Sequence, residues 1–106
     1  MYLPQIYDKF SHEFPDLAEK YQELGRACRA SGPLEQKVQD LVKLGIAIGI
    51  GSQGAVRSHT RKALASGASR EENMHVLVLS LTTTGFPNMI AALGWVEEVL
   101  AKDLPR

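Results

Sequence analysis

An all-α bundle of five or six helices is what this sequence predicts, on three observations. Apolar residues recur three and four apart along most of the chain, the spacing that puts them on one face of a helix. Turn and cap signals cut the chain into helix-sized lengths at Ser31-Gly32-Pro33, Gly51-Ser52, Gly67-Ala68-Ser69 and Gly85-Phe86-Pro87. Strand signals are poor: Val76–Leu81 is the one β-prone run, and the cap ahead of it favours a helix.

Within Tyr2–Phe14, Leu3 and Tyr7 lie four apart, as do Ile6 and Phe10, which suits a short amphipathic arm. Pro15 fits the first turn of the next helix, and Asp16 and Glu19 suit its positive end. Leu17, Tyr21, Leu24 and Cys28 then form one apolar stripe, with Cys28 read as a small buried thiol. The third helix is expected from near Pro33 to near Gly51, with Val38, Leu41, Val42, Gly45 and Ile48 on one face. From Leu44 onward it is apolar or small all round and is expected to be buried on every side, with Gly45 and Gly49 admitting another helix.

Gly51 ends that helix and Ser52 caps the next, in which Ser52, Ala55, Val56, His59 and Ala63 share one face. Arg57, Thr60 and Arg61 are placed toward the other. Ser69 and Glu72 have the spacing of a capping box for a helix over 70–84 whose stripe is Met74, Leu77, Val78 and Leu81. The last helix is expected over 88–102, with Ile90, Ala91, Leu93, Gly94, Val96 and Leu100 inward and Glu97 and Glu98 outward. The expected organisation is one domain, with an N-terminal helical arm over 1–32 and a core over about 33–102.

The chain has 106 residues, enough for one core. Twelve basic residues balance twelve acidic ones, so no broad field recruits nucleic acid or an anionic membrane, and near-zero charge tolerates self-association. With Cys28 as the single cysteine no intrachain disulfide forms, the first residues lack the pattern of a secretory signal, and no apolar run reaches membrane-spanning length. A soluble, cytoplasmic protein without a cofactor is the expectation.

His12 reads as a surface residue and His75 as a hydrogen-bonded structural one, while His59 sits on the small-residue face of its helix. If the third and fourth helices fold back as a hairpin, Asp40 approaches His59 through the interior. A buried carboxylate beside an imidazole fixes its tautomer and raises its basicity, which equips it as a general base. A solvated Asp40 paired with Lys37 or Lys43 is the plainer alternative. Three scattered histidines without an HxxxH or HExxH pair give no metal site, and GSQG is neither a nucleophile elbow nor a nucleotide loop.

The run His59-Thr-Arg-Lys-Ala63-Leu-Ala-Ser-Gly67, the capping box after it and the closing Gly85-Phe86-Pro87 resemble the carboxymuconolactone decarboxylase and alkylhydroperoxidase D-like superfamily. The resemblance, over about two thirds of the chain, implies an alkylhydroperoxidase D-like helical bundle that assembles into a homo-oligomer, a trimer or hexamer. In the hydroperoxidase branch an acid, a C-x-x-C pair and a histidine form the site. Their counterparts here are Asp40, Ser52 with Ala55, and His59, so both thiols are missing and thiol peroxidase activity is not expected. In the decarboxylase branch a glutamate stands four residues before the histidine; Ala55 takes its place, while Arg57 and His59 match.

Two functions follow as expectations. In the first, His59, assisted by Asp40 and Ser52, moves a proton on a small organic acid or lactone, with Arg57 and Ala55 lining the substrate site, in a decarboxylation or isomerisation. In the second, the bundle is a non-catalytic oligomeric module that binds a small molecule or a protein.

Overall fold

A computed structural model of the chain describes residues 5–103, and among these there are six α-helices and no strand. The helices are α1 (Gln5–Glu13), α2 (Pro15–Ala30), α3 (Gln36–Ile50), α4 (Gln53–Ala65), α5 (Arg70–Thr84) and α6 (Phe86–Asp103). The expected pairing of Leu3 with Tyr7 falls outside the described residues. Two compact units are present, one ending at Pro33 and the other beginning at Leu34.

The first unit is the α1–α2 hairpin. Its helices meet through Phe10 and Phe14, whose ring centroids are 5.6 Å apart, and through Gln22, which donates to the Tyr7 hydroxyl at 3.3 Å. The apolar stripe of α2 is not buried as its spacing suggests. Leu17, Tyr21 and Leu24 are 56–68% exposed, and together with Tyr7, Phe10 and Lys20 they line an open groove of about 660 Å³. Cys28 is exposed too, which corrects its reading as a buried thiol.

The second unit is a four-helix bundle. α3 packs on α4 and α5, and α6 closes against α4 and α5 with a smaller contact to α3. Leu44, Ala47 and Ile48 of α3 meet Val56 of α4, Leu77 of α5, and Ala92, Val96 and Leu100 of α6 in one core. From Leu44 onward α3 is not buried all round: Ile46 is 59% and Ile50 72% exposed, because its partner helices within this unit lie on the other side. Gly45 does admit a neighbour, since a Cβ there would stand 3.6 Å from Val76, but at Gly49 it would meet nothing within 4 Å.

α5 turns differently from its expected stripe. It buries Asn73, Leu77 and Ser80, while Val78, Leu79 and Leu81 face outward and His75 is exposed rather than structural. The three buried positions are spaced four and three apart like any core face, but two of them are polar. A polar residue can occupy such a face when its bonds are made locally: Asn73 donates to the Ser69 carbonyl at 2.9 Å and Ser80 to that of Leu77 at 2.6 Å. In α4 the buried residues are Val56, Thr60 and Ala63, so Thr60 lies inside rather than beside the arginines. Its hydroxyl donates back to the Val56 carbonyl at 2.7 Å. α6 starts at Phe86, earlier than expected, and buries Ala92, Val96, Val99 and Leu100.

The α3–α4 turn depends on Gly51, whose φ of 67° and ψ of 29° are left-handed. Asn88 at the start of α6 reaches across to this turn and donates to the Ile48 carbonyl at 2.8 Å, which also accepts from the Gly51 N–H at 3.1 Å. Gly51→Ala is therefore expected to cost about 1–2 kcal/mol for the left-handed backbone, with further crowding because its Cβ would stand 3.3 Å from Asn88 Oδ1. Gly94→Ala, in an exposed stretch of α6 with nothing within 4 Å of its Cβ, is expected to gain about 0.5–1 kcal/mol. Urea midpoints of the two variants, moving in opposite directions from the parent, check the pair.

Ion pairs tie the helices together at their rims, among them Lys37 to Glu72 at 3.1 Å, Arg57 to Glu98 at 2.7 Å and Arg70 to Glu97 at 2.9 Å. Ser69 and Glu72 complete the expected capping box. The Ser69 N–H bonded to Glu72 and the Lys37 ammonium beside it hold this carboxyl below its ordinary 4.5. A carboxyl lowered by folding stabilises the protein fully above its ordinary value and loses that effect as pH falls through the lowered one. Glu72→Gln is thus expected to flatten the acid limb of stability, seen as a shallower fall of the urea midpoint than in the parent as pH drops below the carboxyl's ordinary 4.5. Ser69→Ala, which removes the other half of the box, is expected to cost about 1 kcal/mol.

Candidate functional site

Asp40 is the least expected feature of the bundle interior. It lies on α3 one turn before Leu44, on the core-facing side, and only 1% of it is exposed. A carboxylate taken out of water must find polar partners or be strongly disfavoured. One partner is the Ser66 hydroxyl, which donates to Asp40 Oδ2; the same hydroxyl lies 2.6 Å from the Lys62 carbonyl. Ser66 is the C-terminal cap of α4, so this contact closes the α3–α4 hairpin at the end away from its turn. The reading of Asp40 as a solvated residue paired with Lys37 is corrected: Lys37 pairs with Glu72.

His59 lies in the middle of α4. It is half-buried, and its Nδ1 atom is sealed from solvent. Seven residues, about 10 Å of helix, separate it from Ser66 in one direction and from Ser52 in the other. Ser52 is the N-terminal cap of α4: its hydroxyl oxygen accepts from the Ala55 N–H at 3.3 Å. Since Asp40 lies against Ser66, Ser52 and Asp40 sit toward opposite ends of α4, about 17 Å apart along the hairpin. Ala55 is partly buried and packs on the core cluster.

Arg57 is already engaged. Its Nε and one terminal nitrogen donate to Glu98 Oε2 at 3.0 and 2.7 Å. Gln53, with its amide oriented to present oxygen, accepts from the same guanidinium at 2.7 and 2.8 Å. A substrate anion would have to compete with Glu98 for this group. No group of three or more His, Cys, Asp or Glu among the described residues is placed to hold a metal ion.

Two residues that shape the site were not singled out from the sequence. Ser66 had a signal: counting outward from the Gly51-Ser52 turn, Asp40 and Ser66 lie about 17 and about 21 Å along their helices, so a hairpin sets them nearly level. Asn88 had none, because its partner carbonyl on Ile48 is forty residues away and belongs to the backbone.

A hairpin of helices carrying a buried acid and a half-buried imidazole, closed by two further helices, defines an all-α bundle. The chain belongs to the carboxymuconolactone decarboxylase family, whose model matches residues 15–98. It is 29% identical over 85 residues to the uncharacterized protein MJ1511 of Methanocaldococcus jannaschii, a match covering 80% of this chain and 79% of that protein. Its fold is similar to that of apo-lpg0406, a carboxymuconolactone decarboxylase family protein from Legionella pneumophila. The TM-score is 0.80, with 24% identity over 92% of this chain and 87% of that one.

Proposed function

We propose that the protein performs acid–base chemistry, a decarboxylation or isomerisation, on a small organic acid or lactone, with His59 as the base and Asp40 as the group that orients it. The observation that carries this reading is the burial of Asp40 inside the hairpin that bears His59. An apolar residue there would stabilise the bundle without any desolvation cost, so a carboxylate held in the interior is better explained by chemistry than by packing. The carboxylate would fix the imidazole tautomer and balance the charge that the ring gains when it accepts a proton.

Ser52 and Ala55 stand where a redox pair would be needed, and neither supplies a thiolate, so the proposed chemistry is not that of a thiol peroxidase. Ser52 serves α4 as its cap, and Ala55 contributes a small apolar wall. Arg57 is carried as a cation at the rim, available to an anion that displaces Glu98. The working protein is proposed to be a homo-oligomer, a trimer or hexamer, located in the cytoplasm. In the competing reading, a non-catalytic oligomeric module, Asp40 and Ser66 act only as a hairpin clasp.

A thermal-shift screen of small carboxylic acids and lactones tests the proposal. A true ligand present at 100 times its dissociation constant stabilises the folded state by about 2.7 kcal/mol. Hits that raise the parent's midpoint and lose that effect in His59→Ala support the reading. A panel without hits, or hits that shift both proteins equally, would sink it.

A further inference from the structure

Ser66 has one hydroxyl proton and faces two acceptors, Asp40 Oδ2 and the Lys62 carbonyl. The carbonyl already accepts the Ser66 backbone N–H at 3.0 Å, so it is satisfied without the hydroxyl. A carboxylate taken out of water has no such supply, and a hydrogen bond to an ionised acceptor is roughly twice as strong as one between neutral groups. The proton therefore goes to Asp40.

The hydroxyl is delivered by a closed piece of backbone. After α4 the Gly67 N–H donates to the Leu64 carbonyl at 3.1 Å and the Ala68 N–H to that of Ala63 at 2.9 Å, with Gly67 left-handed at a φ of 97°. Ala68, which completes this cap, is itself buried, so the cap is anchored in the bundle. Ser66 lies inside it at a φ of −89°, a backbone that any residue adopts. Its place is set by Gly67 and the cap bonds, and its side chain is left to act on Asp40.

A carboxylate gripped at one oxygen no longer turns freely, and its second oxygen acquires a fixed direction. On the other helix, Nδ1 is the ring atom of His59 that is sealed from solvent. That makes Nδ1 the nitrogen suited to an interior carboxylate, and Nε2 the one that takes a proton from a substrate. We infer that Ser66 is the positioning residue of this site: by holding Asp40 Oδ2 it aims Oδ1 at His59 Nδ1 and so fixes Nε2 as the proton-accepting atom. The inference rests on the proposed pairing of Asp40 with His59. It adds the cap of α4 to the site and names the atom that acts as the base.

Nitrogen-15 NMR of the full chain, labelled at histidine, tests it at about pH 9, where an ordinary imidazole of pKa ~6.5 is neutral. His59→Ala assigns the His59 signals against those of His12 and His75. The parent is expected to carry its ring proton on Nδ1, and Asp40→Leu, which cannot accept that proton, to shift it to Nε2. Ser66→Ala is expected to shift it the same way, while Ser66→Thr, which keeps the hydroxyl, holds it on Nδ1. Ser66→Cys, similar in size but a weak donor, is a second removal of the bond and is expected to side with alanine. Helical circular dichroism checks that each variant is folded. If Ser66→Ala and Ser66→Cys keep the parent's tautomer, Ser66 is a hairpin clasp and the inference is overturned, while the pairing of Asp40 with His59 stands. If Ser66→Thr sides with alanine, the hydroxyl does not position the carboxylate, and again the inference fails alone. A parent with its proton on Nε2, or an Asp40→Leu variant that leaves it on Nδ1, overturns the pairing and the inference with it.

Discussion

His59→Ala is expected to lower turnover of the accepted organic acid or lactone by about 10²–10⁴-fold, the usual contribution of a positioned general base. The fold should survive, since His59 is half-buried and outside the fully buried core of Leu44, Ile48, Val56 and Leu77. A helical spectrum matching the parent's, measured alongside kcat/KM, separates lost chemistry from lost structure. Because the base acts in the transition state, the loss should fall on kcat more than on KM. A variant that turns over as fast as the parent would remove His59 from the mechanism. Asp40→Asn is expected to follow in the same direction with a smaller effect, since it keeps the shape and some hydrogen bonding but no longer balances the imidazolium.

Leu44→Ala should have the largest effect on stability, a loss of about 2–5 kcal/mol. Leu44 is 0% exposed and belongs to the cluster that joins α3 to α4, α5 and α6. Removing most of its side chain takes away burial on all of these neighbours and leaves a cavity that four packed helices cannot close. Against the ~5–15 kcal/mol that holds a typical domain together, this is a large share. Chemical unfolding of the purified variant measures it. Ile46→Ala, two residues on but 59% exposed, is the control: its loss in the monomeric bundle should stay near or below about 1 kcal/mol.

Why Leu44 and Ile46 differ so much shows which parts of the structure the sequence could disclose. Both are aliphatic, both lie in the most apolar run of the chain, and both look buried from composition alone. Periodicity reports that a side chain avoids water but not what shields it, and within its own unit α3 packs through one side. The same ambiguity concealed the polar inner face of α5, where Asn73 and Ser80 are buried while Val78 and Leu79 look outward. An apolar surface kept for another molecule has the same signature as a core.

Local devices were far more legible. The Ser69–Glu72 capping box, the Gly51 stop and the Ser52 cap all form as their spacing requires, because each is completed within one turn of chain. Of the candidate site, the sequence pointed to Asp40 and His59 as candidates, and the structure places Asp40 in the bundle interior and His59 half-buried on the next helix. The sequence did not disclose Ser66 as the carboxylate's partner or Glu98 as that of Arg57, since both contacts depend on how helices pair at a distance. Glu97 and Glu98, read as outward charges, do face solvent and also tie α6 to α5 and α4.

The central claim is that Asp40 and His59 act as one unit, and a double-mutant cycle tests that most directly. On a substrate found in the ligand screen, kcat/KM is measured for the parent, His59→Ala, Asp40→Asn and the combined variant. If the carboxylate acts through the imidazole, Asp40→Asn slows the parent but does nothing further once His59 is gone, leaving a coupling of about 0.5–3 kcal/mol. If the two losses simply multiply, each residue acts independently, and the account of a buried acid serving a histidine base is contradicted.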